Sequence, residues 1–306
     1  MSLNPPASFV PAWNPTMKFL STLCLLLFTA PCLAEDEAAV DQPTAPVRTP
    51  LWDGPAPVGG GETESGNAWI TVHHPEEANG TAIVICPGGG YGRLVLGGEG
   101  HKIAAWLNQH GITGVVLEYR LPGGRHAVPL LDAQRAIRTA RANAKDWQLR
   151  PDRIGIMGFS AGGHLASTAA THFDSGNPTA NDTIDRVSSR PDFAILVYPV
   201  VTMGEHTHAG SRDNLLGKDP SSELLNLYSN ERQVTDNTPP MFLAHAIDDT
   251  PVPIVNSRQL HAALQQHNVP TQMLELPSGG HGLNGYQGPM WDAWQAASLG
   301  WLKEID

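Results

Sequence analysis

Ser160 lies in the stretch Gly158-Phe159-Ser160-Ala161-Gly162-Gly163. A serine hydroxyl is a weak nucleophile at neutral pH and attacks a carbonyl only with a general base beside it. The glycines around it allow a tight turn, where larger side chains would strike the flanking backbone. Residues 153–157 read as a strand, and Gly163-His164-Leu165-Ala166 opens a helix. Gly-x-Ser-x-Gly between a strand and a helix is a nucleophile elbow. The start of the helix also directs positive potential towards an anion forming at the attacked carbonyl.

A nucleophile of this kind is followed in the chain first by an acid and then by a histidine. The acid falls in His245-Ala246-Ile247-Asp248-Asp249-Thr250-Pro251-Val252-Pro253, directly after an apolar strand. Asp248 and Asp249 both qualify. The competing role for either is to cap the helix expected from about Pro253. The base falls in Ser278-Gly279-Gly280-His281-Gly282, on a loop after the last strand, where the glycines leave the imidazole of His281 free to reach Ser160. With 13 histidines in the chain, position matters more than presence. His245 reads as the end of a strand and His164 as part of the nucleophile helix. His73, His74, His101, His126 and His261 have no partner motif. His206 and His208 form a His-x-His pair with no further ligand motif, so no metal site is expected.

Acyl transfer also needs backbone donors for the oxyanion of the tetrahedral intermediate. Pro87-Gly88-Gly89-Gly90-Tyr91 follows the strand that ends at Cys86. Gly89 and Gly90 are the expected donors, joined by the N–H of Ala161. This glycine run is not a dinucleotide loop. Tyr91-Gly92-Arg93 breaks the required spacing, and no acidic ribose ligand lies in a suitable later strand. No cofactor is expected.

These residues must be carried by regular elements. Apolar runs predict strands at 68–72, 82–86, 114–119, 153–157, 193–198, 241–245 and 272–276. Helical spacing appears at 100–110, 130–147, just after Ser160, 253–267 and 286–303. Continuous apolar strands alternating with helices imply an α/β protein, a mostly parallel central sheet with helices on both faces. Ligands of such sheets bind at the carboxyl ends of the strands, where Ser160, the two aspartates and His281 fall. The insert at 202–237 is polar, unlike the apolar lid of a lipase.

The 306 residues suit one large domain. With 30 acidic and 19 basic side chains the net charge is -11, which disfavours nucleic acid and anionic membranes as partners. Lys18, the apolar run 19–30 and Cys32-Leu33-Ala34 before an acidic segment read as a bacterial signal peptide over 17–34. Residues 1–16 then read as an extension of the gene, since Met17 is a possible start. The expected destination is the periplasm or the medium, without stable membrane association. Residues 35–68 read as a linker and irregular lead-in, with Trp52 packed on the domain that occupies 69–306. Cleavage after Ala34 would leave Cys86 as the sole cysteine, a buried thiol at the end of a strand.

Taken together, these motifs resemble secreted bacterial esterases of the α/β-hydrolase fold, related to acetylxylan and feruloyl esterases and sometimes labelled xylanases. The resemblance runs from about Leu51 to the C-terminus. It includes Leu51-Trp52, Ile85-Cys86-Pro87-Gly88-Gly89-Gly90-Tyr91, Gly98-Glu99-Gly100, Tyr119-Arg120-Leu121 and Asp132-Ala133-Gln134-Arg135-Ala136-Ile137-Arg138. The elbow, Tyr198-Pro199-Val200, Thr238-Pro239-Pro240 and the motifs at Asp249 and His281 complete it. In that family the acid stands three residues before the valine of the loop, so Val252 selects Asp249. Ala246 departs from the glycine of many relatives and alters only the turn. The resemblance implies a serine-dependent carboxylic ester hydrolase that deacylates plant polysaccharide, acetyl or feruloyl xylan, or its oligomers. Tyr91 and Arg93, beside the oxyanion glycines, then become candidates for stacking on or hydrogen-bonding a sugar; the competing reading is solvated surface. A serine peptidase of the prolyl-oligopeptidase type could use the same three residues, but 35–68 is too short for its extra domain. A hydrolase-like protein that only binds carbohydrate would have no need of all three. A glycosidase would need two carboxylates across the scissile bond. Oligomeric state is not legible.

Overall fold

The apolar runs assemble into one eight-stranded sheet in the computed structural model, which describes residues 45–58 and 66–306. The signal-peptide segment 17–34 and the extension 1–16 lie outside the described residues. The strands are β1 Val47–Pro50, β2 Trp69–His73, β3 Ala82–Cys86, β4 Thr113–Glu118, β5 Ile154–Phe159, β6 Ala194–Val197, β7 Met241–Ala246 and β8 Thr271–Leu276. Their order in the sheet is β1-β2-β4-β3-β5-β6-β7-β8. β2 pairs antiparallel with β1 and β4, and every other pairing is parallel. β3, β5, β6 and β7 are buried along their whole length, as expected of strands covered on both faces.

Helices cover both faces. On one, α2 (Ala127–Ala142), α3 (Ala161–Thr171) and α6 (Val255–Gln266) contribute Ala133, Ile137, Leu165 and Leu260 to the larger core. On the other, α1 (Lys102–Asn108) and α8 (Pro289–Glu304) pack Ile103, Leu107, Trp294 and Trp301 against the sheet. The insert at 202–237 holds two short helices, α4 (Ala209–Leu216) and α5 (Ser222–Leu227). The single turn α7 (Leu283–Tyr286) follows His281. This is the α/β-hydrolase fold. Among the described residues no helix is long and apolar enough to cross a membrane.

Three departures from the sequence reading have physical causes. β1 lies in the stretch expected to be irregular. It is exposed along its length, so no apolar pattern marks it. Backbone pairing with β2 holds it, together with Arg48, whose guanidinium bonds Glu118 at 2.7 Å and lies 4.1 Å over the Trp69 ring. α2 starts three residues before its expected beginning, because Pro129 is tolerated in a first turn. It stops at Ala142, where Asn143 leaves helical geometry and donates from Nδ2 to the Thr139 carbonyl at 2.8 Å. α8 starts at Pro289, a residue whose fixed φ suits the first helical position.

The family-like residues Arg120 and Asp132 are structural. Both side chains are fully buried, and Arg120 forks onto the carboxylate with its Nη2 at 2.7 Å from Oδ1. Trp52 donates its indole N–H to the same oxygen at 2.9 Å and packs, as expected, on the domain. Arg135 lies over the Trp52 ring and pairs with Asp182 and Asp185. Arg138 and Arg141 pair with Asp174 and Asp192. The arginines of α2 thus tie the helix to the loop between α3 and β6.

Candidate active site

Ser160 sits between β5 and α3 with φ 53° and ψ -121°. A non-glycine residue there carries about 1–3 kcal/mol of strain, which the surrounding packing must hold. The glycines around it are required by contact. A Cβ on Gly158 would lie 2.1 Å from the Gly162 carbonyl oxygen, and one on Gly162 would lie 2.1 Å from that of Cys86. One on Gly163 would meet Pro199 at 2.7 Å. The turn therefore closes only with these residues, and it delivers the hydroxyl to the carboxyl end of the sheet.

His281 reaches the same point from the loop after β8. Its Nε2 is 2.8 Å from Ser160 Oγ, and its Nδ1 is 2.7 Å from Asp249 Oδ2. Asp249 is thus the aspartate in contact with the imidazole. Its side chain is buried, and its Oδ1 accepts the Val252 N–H at 2.9 Å. Burial pushes its pKa up, but bonds from His245, His281 and the Val252 N–H outweigh this and hold it at about 2. His245, at the end of β7, also supports the aspartate. Its Nε2 lies 3.3 Å from Asp249 Oδ2 while bonding the Val252 carbonyl at 2.8 Å.

Asp248 has a different task. Its two oxygens accept the N–H groups of Gly279 and Gly280, at 3.2 and 2.8 Å, and so anchor the loop that carries His281. Neither aspartate caps α6, whose N-cap residue is Ile254 and makes no side-chain cap bond.

The glycine loop after β3 lies against the elbow. Gly89 and Gly90 take φ of 124° and 66°, which glycine alone adopts freely. A Cβ on Gly89 would strike the Arg93 carbonyl oxygen at 2.3 Å. Among the described residues no acceptor takes the N–H of Gly89 or Gly90. Ala161 is the first residue of α3, where an N–H has no partner within the helix. The N–H of Gly88, by contrast, is spent on Glu99 at 2.7 Å. The insert braces this loop: Asn214 of α4 donates to the Gly90 carbonyl at 2.8 Å. No motif marked Asn214, since one asparagine in a polar insert has no local signature.

Tyr91 turns into the core rather than towards solvent. Only 2% of it is exposed; its ring packs on Tyr119, and its hydroxyl donates to His164 Nδ1 at 2.8 Å. Arg93 is exposed beside Gly89. His164 is fully buried and donates from Nε2 to the Tyr228 carbonyl at 2.8 Å; burial lowers its pKa to about 4. Cys86 is a buried free thiol whose pKa burial raises, which makes it inert. His208 caps α4 through its Nδ1, and among the described residues no group of three or more potential metal ligands occurs.

The BD-FAE family model matches residues 70–264. This chain belongs to the BD-FAE family. It is 38% identical over 225 residues to an acetylxylan esterase of Xylanibacter ruminicola, a match covering 72% of this chain and 44% of that protein. It is 36% identical to endo-1,4-beta-xylanase B of Butyrivibrio fibrisolvens, over 72% of this chain and 35% of that one. The chain therefore spans less than half the length of these curated relatives. Among solved structures it resembles an acetyl ester-xyloside bifunctional hydrolase from Caldicellulosiruptor lactoaceticus. That match has a TM-score of 0.79 at 37% identity and covers 85% of this chain and 96% of the other.

Proposed function

We propose that this BD-FAE protein is a serine-dependent carboxylic ester hydrolase that removes acetyl groups from xylan or its oligomers. The observation that carries the chemistry is the unbroken run of short contacts from Ser160 Oγ through His281 to Asp249. Ser160 attacks the ester carbonyl as His281 Nε2 takes its proton. Asp249 holds the imidazole by Nδ1–H and balances the imidazolium charge. The N–H groups of Gly89, Gly90 and Ala161 receive the oxyanion. His281 then protonates the leaving sugar oxygen. In the second half water attacks the acyl-serine with His281 again as base, and carboxylate and free enzyme result.

The substrate class rests on the relatives named acetylxylan esterase and acetyl ester-xyloside hydrolase. Arg93 is the proposed sugar contact. A purely binding role leaves the strain at Ser160 unexplained. Export follows from the proposed signal peptide at 17–34, with the catalytic domain beginning near residue 69 and β1 added to its sheet.

The test is a panel of acetylated xylo-oligosaccharides, feruloylated xylo-oligosaccharides, methyl-glucuronate esters and simple acetates. The proposal expects the highest kcat/KM on the acetylated oligosaccharides. Higher values on the feruloylated ones would move the acyl specificity while leaving the esterase standing. Peptide hydrolysis without ester hydrolysis would refute it.

A further inference from the structure

Glu99 is a buried acid beside the site that the mechanism above leaves unused. It stands in the π-helical turn Gly97–His101 that leads into α1, with 3% of its surface exposed. π-turns turn up often at functional sites. The carboxylate touches three parts of the chain. Oε2 accepts the Gly88 N–H at 2.7 Å, one residue before the oxyanion glycines. Oε1 accepts the Tyr198 hydroxyl at 3.0 Å. The Tyr286 hydroxyl, from the turn after His281, approaches the same carboxylate and pulls its pKa down.

The fit is close. A Cβ on Gly88 would lie 2.6 Å from Glu99 Oε2, and one on Gly98 would lie 2.7 Å from the Tyr286 ring. Tyr198 takes the strained φ of 39°, and its ring stands edge-on to His281 with centroids 5.0 Å apart. One side chain thus joins the oxyanion loop, the aromatic floor of the imidazole and the turn beyond it.

We infer that Glu99 is a positioning residue: it locks the oxyanion loop and the His281 ring to each other, and its buried charge opposes that of the imidazolium. The inference rests on the roles proposed for Ser160, His281 and Asp249. Every group that bonds the carboxylate is a donor, so the ionised form is the one the site accommodates. Burial raises the Glu99 pKa above its ordinary value; the bonds from Gly88, Tyr198 and Tyr286 and the charge of His281 pull against this without cancelling it. Tyr119 faces it as well, with its hydroxyl donated to the Pro87 carbonyl at 2.8 Å. Around His281 the other titratable groups are Asp249, His208 and Tyr198. Asp249 works through Nδ1; Glu99 acts across the tyrosine ring. A fixed negative charge in a water-poor site favours the protonated imidazole formed during attack.

Glu99→Gln keeps the shape and removes the charge. It should lower kcat on acetylated xylo-oligosaccharide about tenfold or more with KM little changed. The acid limb of the kcat/KM profile should move about half a pH unit or more towards low pH, because protonating the imidazole is then less favourable. Tyr198→Phe keeps both ring and carboxylate but cuts the bond between them. It should lower kcat several-fold at unchanged KM with the acid limb in place. A folded Glu99→Gln protein whose acid limb superimposes on the wild type overturns the inference. Should Glu99→Gln fail to fold, a wild-type kcat in Tyr198→Phe overturns it. Fluorophosphonate labelling of the wild type separates the two levels. An adduct absent from Ser160 defeats the serine mechanism itself, whereas an adduct there with an unmoved acid limb defeats only the role of Glu99.

Discussion

At the scale of single residues, Ser160, Asp249 and His281, the proposed nucleophile, acid and base, could be picked out because each sits in a short motif, two of them rich in glycine. The Ser160 elbow admits no Cβ at Gly158 or Gly162, so the motif and the turn are one constraint. Ser160→Ala should lower ester hydrolysis by about 10⁴-fold or more in a protein with an unchanged melting temperature. The choice between the aspartates came from Val252 rather than from chemistry. The contacts give each a job: Asp249 touches the imidazole, and Asp248 pins the loop beneath it. Asp249→Asn should reduce kcat by about 10³- to 10⁴-fold. Asp248→Asn should cost far less, because an amide oxygen still accepts one of the two loop N–H groups. Steady-state kinetics giving the reverse order would reassign the acid. Where a side chain points was not legible. Tyr91 and Arg93 are two residues apart and looked alike as sugar contacts, yet the positive φ of Tyr91 turns its ring into the core. The Gly98-Glu99-Gly100 turn was visible as a motif, but its partners Gly88, Tyr198 and Tyr286 belong to three other segments of the chain.

At the scale of elements, the buried strands and the main helices followed from apolar runs and 3.6-residue spacing, with errors mainly at ends. β1 was missed because it is held by pairing and by Arg48 rather than by an apolar face. The α2 arginines were visible on their helix, but their aspartate partners were not, since ion pairs between distant segments leave no periodic trace. The Arg120–Asp132 pair, which holds α2 through Asp132, is fully buried. Asp132→Ala strands a buried guanidinium and should destabilise the fold by about 3–5 kcal/mol, read from denaturant unfolding. α3 also carries a pH response. The His164 pKa falls from 6.5 to about 4 through burial, so between these values the unfolded chain binds the proton and the folded one does not. Stability should therefore decline as pH drops from about 6.5 towards 4 and then level off for this group. His73 adds to the same decline, since burial and the neighbouring His101 and His74 lower it to about 4. Asp249 works in a lower window: its contribution is present above about 3.8 and lost as pH falls towards 2. Thermal melts across this range check the sequence of events. His164→Gln should melt lower at neutral pH and lose less on acidification; an undiminished loss would show that other groups carry it.

At the scale of the whole molecule, the charge of -11 and the polar insert at 202–237 suit a neutral, hydrated substrate better than a lipid or a nucleic acid. Through Asn214 the insert braces the glycine loop after β3. If remote sugar contacts contribute in the transition state, acetyl esters on xylo-oligosaccharides should exceed acetates of simple alcohols in kcat/KM, and Arg93→Ala should narrow the difference. Equal values would remove the polysaccharide substrate and keep the esterase. The measurement that bears most directly on the central claim combines labelling with turnover. The protein is titrated with a fluorophosphonate while acetate release from acetylated xylo-oligosaccharide is followed, and the adduct is then located by peptide mass. The proposed mechanism predicts one adduct per chain, on Ser160, with acetate release lost in proportion to labelling. Full acetate release by quantitatively labelled protein, or an adduct on any other residue, would contradict it.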